Sequence, residues 1–364
     1  MPKRSQIVSD ILKRHQKQPE DSTNNQKEES FPHAQLTARS RHNKNDEIIN
    51  LNKQGELHRK ARKFEEAIDS YQQAYKIDKE DNYMLGGMGL TYRDMGDYDK
   101  AIVCFKRQLS SVRTLTNLSH AYCHKGDYQQ AIDYAKQALK KEPKNRIAID
   151  NLAIAYRKKG DHQQAIVWFK KNLALYGDKQ TMDGLGITYR EMGEHEQAIA
   201  WFQKKLALDP TDKQAMDGLG ITYREMGEYE QAIAWFQKKL ALDSRNKQAM
   251  DGLAITYREM KDYEKAIAWF QKKLALDSTN KQAMDGLGIT YREMKDYEQA
   301  IVWFQKKLAL DPNNKQAMDG LGITYREMGE YKKSIQWFKK LLVIAPNDKR
   351  ALYGLQTTKK QKKR

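Results

Sequence analysis

The chain of 364 residues has only two cysteines and seven prolines, and no apolar run of the ~18 residues that a membrane-spanning helix requires. Cys104 and Cys123 cannot make a disulfide framework, which fits a reducing compartment. Seven prolines and 21 glycines are too few for a collagen-like or linker-like chain. The opening Met1-Pro2-Lys3-Arg4-Ser5-Gln6 lacks the apolar core of a secretory signal. Nucleophile elbows, phosphate-cradling loops and metalloprotease helices are missing, so neither an enzyme nor a cofactor is expected. What is there is charge: 65 Lys and Arg against 48 Asp and Glu, a formal net of +17, with hydrophobics at 39%. Composition therefore predicts a soluble, basic, intracellular protein, cytoplasmic in the first instance.

The sequence repeats itself. Met-Asp-Gly-Leu recurs at Met182, Met216, Met250 and Met318, with Met284 completing the series, at steps of 34 residues. With Lys213 to Asn246 as the reference unit, and Lys213 as its position 1, nine units follow: 48–81, 82–111, 112–145, 146–178, 179–212, 213–246, 247–280, 281–314 and 315–348. Residues 349–364 begin a tenth. Such a period is the signature of a stacked array whose core is spread along its length.

Apolar residues within the unit follow helical spacing. Met216, Leu219, Gly220 and Tyr223 share one face of a first helix; Ala232, Phe236, Leu240 and Leu242 share one face of a second. Gly227 lies between them, where a helix ends and φ turns positive. Units seven and eight have Lys261 and Lys295 there instead, which predicts two lysines in left-handed backbone. Pro210 and Pro312 close the second helix of their units.

Leu219, Gly220, Tyr223, Gly227, Tyr229, Ala232 and Phe236, with Pro210 closing the previous unit, make the pattern resemble the tetratricopeptide repeat family. The resemblance implies an all-α, right-handed superhelical solenoid of about nine antiparallel helix pairs over 48–348, with a capping helix in 349–364. It implies a scaffold that binds other proteins, with its first helices lining a concave groove. Relatives that clasp the C-terminal carboxylate of heat-shock chaperones use Lys and Asn in that groove, whereas the columns here hold mostly Asp, Gly and Ile, so that ligand is not expected. The chain departs from the family at Lys239, and at Lys205, Lys273 and Lys307, where a small Ala is usual; unit nine has Leu341.

Helical geometry puts positions 2, 5, 6, 9, 12 and 13 on the groove side. Units five to nine place Asp183, Asp217, Asp251, Asp285 and Asp319 at position 5. Position 9 is Ile187, Ile221, Ile255, Ile289 and Ile323, and position 12 is Arg190, Arg224, Arg258, Arg292 and Arg326. The expected site is an apolar stripe between ladders of Asp and Arg, holding a peptide or helix of a partner protein. The bland alternative is that Asp and Arg pair between adjacent units and Ile packs on its neighbours, since exposed pairs contribute only ~0–1 kcal/mol each. Position 6 is Gly184, Gly218, Gly252, Gly286 and Gly320; a mid-helix Gly costs roughly 1 kcal/mol, so its recurrence favours close approach of another backbone, unless duplication alone carried it along.

Other features carry less. All six tryptophans occupy position 23 (Trp168, Trp201, Trp235, Trp269, Trp303 and Trp337), which predicts packing at the joints, with Lys239 stacked on Trp235 at i+4. His120 and His124 share a helix face but lack a third ligand, so no metal site is expected. Residues 1–47 carry 9 basic and 7 acidic side chains and no repeat; they are expected to be disordered, with a short helix near Ile7–His15. In 349–364, Ala351, Leu352 and Leu355 continue the first-helix pattern, and Lys359–Arg364 is either a solvated basic helix end or an address such as a nuclear import signal. The runner-up function is a nucleic-acid or anionic-membrane binder acting through the net charge and this tail. The net charge of the array itself is +8, and its groove columns hold as many acids as bases.

Overall fold

The computed structural model describes residues 32–78, 82–109 and 111–362. These residues form nineteen α-helices and no strand. The chain divides into two compact units at Thr91 and Tyr92. In the first, α1 (Pro32–Lys60) packs on α2 (Phe64–Ile77), and α3 (Asn82–Met95) carries the boundary. Helix α1 starts well ahead of residue 48, so residues 32–47, expected as a disordered tail, are helical. The short helix expected at Ile7–His15 lies outside the described residues.

The second unit contains α4 (Tyr98–Phe105), a 3-10 turn (Lys106–Gln108), α5 (Val112–Lys125), α6 (Tyr128–Lys141), α7 (Arg146–Lys159), α8 (His162–Tyr176), α9 (Lys179–Glu191) and α10 (His195–Leu208). It continues with α11 (Lys213–Glu225), α12 (Tyr229–Leu242), α13 (Lys247–Glu259), α14 (Tyr263–Leu276), α15 (Lys281–Glu293), α16 (Tyr297–Leu310), α17 (Lys315–Glu327), α18 (Tyr331–Ile344) and α19 (Lys349–Lys362). From α5 onward each helix packs on the next in sequence, and each first helix also touches the first helix of the following unit. This is a solenoid of helix pairs ended by α19. Among the described residues no helix of this unit contacts one beyond the next but one, so structural roles recur at a fixed register.

Each hairpin is set by local chemistry. Asn246 at the N-cap of α13 accepts a hydrogen bond from the Ala249 amide at 3.1 Å. At the turn, Gly227 has φ +80°, and the Glu228 N–H donates to the Tyr223 carbonyl at 2.9 Å, closing the left-handed C-terminal motif. Lys261 and Lys295 adopt φ +63° and +64° in the same motif, as the glycine usage predicts.

The core is a sandwich of one aromatic ring between two glycines. Phe236, 1% exposed, lies between Gly220 of its own unit and Gly252 of the next; a Cβ on either would come within 2.7 and 2.5 Å of its ring. Phe202, Phe304 and Phe338 repeat the arrangement, and Tyr71 has it between Gly55 and Gly87 in the first compact unit. This corrects the reading of position 6: the missing side chain receives a ring from the preceding unit, not a ligand backbone. Two other expectations need correcting. Leu242 and Leu352 are 45% and 48% exposed, because Leu242 lies two residues from Leu240 and Leu352 one residue from Ala351, which turns each off the buried helix face; Ala351 is buried and Leu355 packs on the last core cluster, so the cap forms without Leu352. Thr222, absent from the expected core, is fully buried; its hydroxyl donates to the Gly218 carbonyl at 2.6 Å and needs no other partner.

The tryptophans do pack at the joints: Trp269 touches the core clusters around both Phe236 and Phe270. The cation over Trp235 is Lys238, at 4.0 Å from the ring centre, one turn on at i+3, and the pairing recurs for all six tryptophans. Lys239 is not available for it, being 2% exposed and turned inward.

Candidate functional site

An open cleft of about 500 Å³ runs across the first helices of units four to seven. Asp183, Ile187, Arg190, Asp217 and Ile221 line it, as do Gly184 and Gly218, with the Phe169 and Phe202 rings beneath. The helical spacing i, i+4, i+7 puts positions 5, 9 and 12 along one face, and stacking of successive first helices aligns those faces. Unit four extends the cleft through Asp150, Ile154 and Arg157, and Gln180, Gln214 and Gln248 add amides at position 2. Position 2 is on the groove side as its helical register predicts, whereas the unit-four residues Asp150, Ile154 and Arg157 lie outside the columns predicted for units five to nine. The signal was present, since Asp150, Ile154 and Arg157 repeat the Asp, Ile and Arg of the later units.

A second cleft of about 280 Å³ gathers Asp319, Ile323 and Arg326 with Arg350 and Tyr353 of the cap. Arg224, Asp251, Ile255, Arg258, Asp285, Ile289 and Arg292 hold the same register in and between the intervening units, outside the lining of either cleft. All five isoleucines are half-buried, and Ile221, Ile255, Ile289 and Ile323 rest on the core clusters.

The charged ladders are wired differently from the alternative in which Asp and Arg pair with each other between adjacent units. Each Asp of units five to eight accepts from the buried lysine 22 residues on: Asp183 from Lys205, Asp217 from Lys239, Asp251 from Lys273 and Asp285 from Lys307. The lysine that replaces the family's Ala thus puts its ammonium under the groove carboxylate. Lys239, Lys273 and Lys307 also reach the next unit's Gln248, Gln282 and Gln316 at 3.3, 3.1 and 3.1 Å. Each Arg of units five to eight instead pairs with the position-13 Glu of the following unit: Arg190–Glu225 and Arg224–Glu259 at 3.6 Å, Arg258–Glu293 and Arg292–Glu327 at 3.8 Å. Arg157–Glu191, at 2.7 Å, starts that row.

Burial pushes the carboxyls of Asp183, Asp217, Asp251 and Asp285 above their ordinary range, and the lysines offset this only in part. Asp319 is raised by the same burial, with Arg350 the main opposing charge, since Leu341 supplies no ammonium there. Such an arrangement can orient a polar backbone or a charged side chain over an apolar floor; it assembles no nucleophile with a base. Among the described residues no cluster of three or more His, Cys, Asp and Glu could hold a metal. His120 and His124 pack ring on ring at 4.4 Å, and His124 stacks on Tyr98 at 5.1 Å.

Models of the tetratricopeptide repeat match residues 51–82, 85–117, 112–145, 145–211, 215–248, 248–313 and 291–358. The chain belongs to the tetratricopeptide repeat family. No curated protein sequence matches it. Among solved structures, a tetratricopeptide repeat protein from Parabacteroides merdae ATCC 43184 is 22% identical with a TM-score of 0.54, over 68% of this chain and 98% of that one. Yeast Tom70 is similar at 14% identity and a TM-score of 0.53, over 88% and 89% of the two chains. Cut9–Hcn1, a hetero-tetramer of the APC/C, is similar at 16% identity and a TM-score of 0.50, over 84% and 74%. These likenesses establish the tetratricopeptide solenoid fold. Tetratricopeptide arrays serve in general as protein-interaction scaffolds, and among the described residues no helix is long and apolar enough to cross a membrane.

Proposed function

We propose that this tetratricopeptide array is a non-enzymatic scaffold that holds an extended or helical segment of another protein in the cleft of units four to seven. The observation that carries the reading is the row Ile154, Ile187 and Ile221, half-buried over Phe169 and Phe202 and bordered by Asp183, Asp217, Arg157 and Arg190. An apolar floor supplies affinity through burial, and the flanking charges and glutamines fix direction and register. The arginines are held in place by their Glu partners, so little side-chain entropy is lost when they donate to a ligand. The two free cysteines suit a cytoplasmic setting.

The test is a triple replacement of Ile154, Ile187 and Ile221, the three isoleucines of the cleft floor, by Ser. Peptides selected on the intact chain by display should bind the variant roughly tenfold or more weakly, with helicity by circular dichroism unchanged. Equal binding would show that the ligand lies elsewhere.

A second reading, a polyanion surface, has the six lysines stacked on tryptophans in its favour. It requires affinity for single-stranded RNA or anionic vesicles that falls steeply with salt, whereas binding over an isoleucine floor is far less sensitive.

A further inference from the structure

Unit four lacks a cation that units five to eight contain. In unit five the ammonium of Lys205 sits between two carboxylates, Asp183 at position 5 and Asp212 at the next helix start, the latter at 2.9 Å. The corresponding carboxylates in unit four are Asp150 and Asp178, and the residue corresponding to Lys205 is Asn172. Asn172 is fully buried; its side chain bonds to the Asp150 carboxylate, to which only the amide nitrogen can donate, and its amide oxygen has no hydrogen-bond partner. A buried amide oxygen without a donor is uncommon, because burial removes the water that would otherwise bond it.

The carboxylates beside it are only partly compensated. Arg146 binds Asp178 at 2.6 Å from the solvent side, its own side chain being 53% exposed. Burial pushes Asp150 above the ordinary carboxylate range; Asp178 pushes it the same way, while the Arg146 charge and the hydrogen bond from Asn172 oppose the rise. Two carboxylates therefore share one exposed guanidinium, while in unit five two carboxylates share a buried ammonium. Asp150 and Gln180 both open onto the cleft. Gln180 holds the register of Gln248, whose side chain takes a hydrogen bond from Lys239 two units on.

On the reading of this cleft as a peptide groove, we infer that its Asp150 end is an anchor subsite for a primary ammonium group, filled by a lysine side chain of the bound partner. The inserted ammonium would complete in trans the arrangement that Lys205 completes in cis. It would donate to Asp150 and to the side-chain oxygen of Gln180, and its charge would offset the excess of carboxylate. Three hydrogen-bond donors on a compact cation match the neighbouring units; a planar guanidinium is wider and its donors diverge. The subsite would give the groove a preference for lysine at one position of the ligand, with the isoleucine stripe taking the residues beyond it.

The probe is n-butylammonium, the side-chain fragment of lysine, titrated into the full chain labelled with nitrogen-15 at glutamine and followed at the Gln180 amide. A saturable shift is expected in the wild type. Asp150→Asn should weaken it roughly tenfold. Asn172→Lys should weaken it as much, because the new lysine occupies the site from within, as in four later units; this variant should also raise the denaturation midpoint. Butyltrimethylammonium, which carries the charge without N–H donors, should bind roughly tenfold more weakly than butylammonium. No saturable shift at Gln180, or equal shifts in the wild type and Asn172→Lys, would overturn the assignment. So would equal binding of the quaternary probe. Because butylammonium needs no partner protein, its failure removes the subsite alone, while failure of the groove itself appears as indifference of peptide binding to the three Ile→Ser changes.

Discussion

Lys239 and Asp217 meet across the two helices of one repeat, 22 residues apart, the lysine 2% exposed and the aspartate side chain 21%. The ammonium is enclosed on the joint side and the carboxylate faces the cleft, so the pair ties the solenoid's interior to its groove. Removing one partner strands the other. Lys239→Leu should lower stability by about 2 kcal/mol, less than for a fully enclosed pair because Asp217 can still reach water. Adding Asp217→Asn should restore most of the loss, since Leu341 already fills this place in unit nine at 1% exposure. Urea denaturation of both variants checks this; a double variant no better than the single would show that the lysine's stem, not its charge, is what the site needs.

The glycine sandwich makes an asymmetric prediction. Gly220 and Gly252 both face Phe236, yet unit seven tolerates Ala254 at the register of Gly220, in contact with Phe270. Gly220→Ala should therefore be nearly neutral, the gain in helix propensity of roughly 1 kcal/mol offsetting the shift of the ring. Gly252→Val should cost about 1–3 kcal/mol, because a branched side chain 2.5 Å from the ring forces both helices apart. Thermal melting distinguishes the two outcomes.

At the hairpin turns, Lys261→Gly should stabilise by up to about 1 kcal/mol, the relief of a left-handed L-residue less the entropy that Gly adds to the unfolded chain. A related gain is available one residue later. Asp262 and Asp296 cap their helices by accepting the Lys265 and Gln299 amides, whereas the longer Glu228 makes no such bond. Glu228→Asp should add about 0.5–1 kcal/mol. In each case hydrogen exchange should localise the gain to the altered unit and its neighbours.

Acid should loosen the array at His120. Burial, with the charges of His124 and Arg93 adding and Asp94 opposing, lowers its pKa from 6.5 to about 4. In the unfolded chain it protonates near 6.5, so stability is lost as pH falls from about 6.5 through about 4, by something on the order of 2 kcal/mol after allowance for its partial exposure. His120→Gln should flatten that part of the pH profile of the denaturation midpoint. A profile unchanged by the substitution would assign the acid sensitivity to other groups.

The 34-residue period and the spacing of Leu219, Phe236 and their equivalents were enough to specify the helix pairs, their order and the left-handed turns, including those at Lys261 and Lys295. These are properties of local backbone and of one helix face, which a linear pattern records. The partners of charged side chains are another matter. Asp217 and Arg224 lie close in sequence on one helix, yet one turns to a lysine of its own unit and the other to a glutamate of the next. Side-chain direction at a three-helix joint sets both choices, and no spacing along the chain encodes it. The position-6 glycines show the same limit: helical geometry put them on the groove side, and only the stacking of units showed that the ring of Phe202 or Phe236 fills the space they leave. At Asn172 the sequence recorded a substitution in a lysine column, but its consequence, an amide oxygen without a donor beside two carboxylates, exists only once the helices are packed, because burial is what makes an unmet hydrogen bond costly.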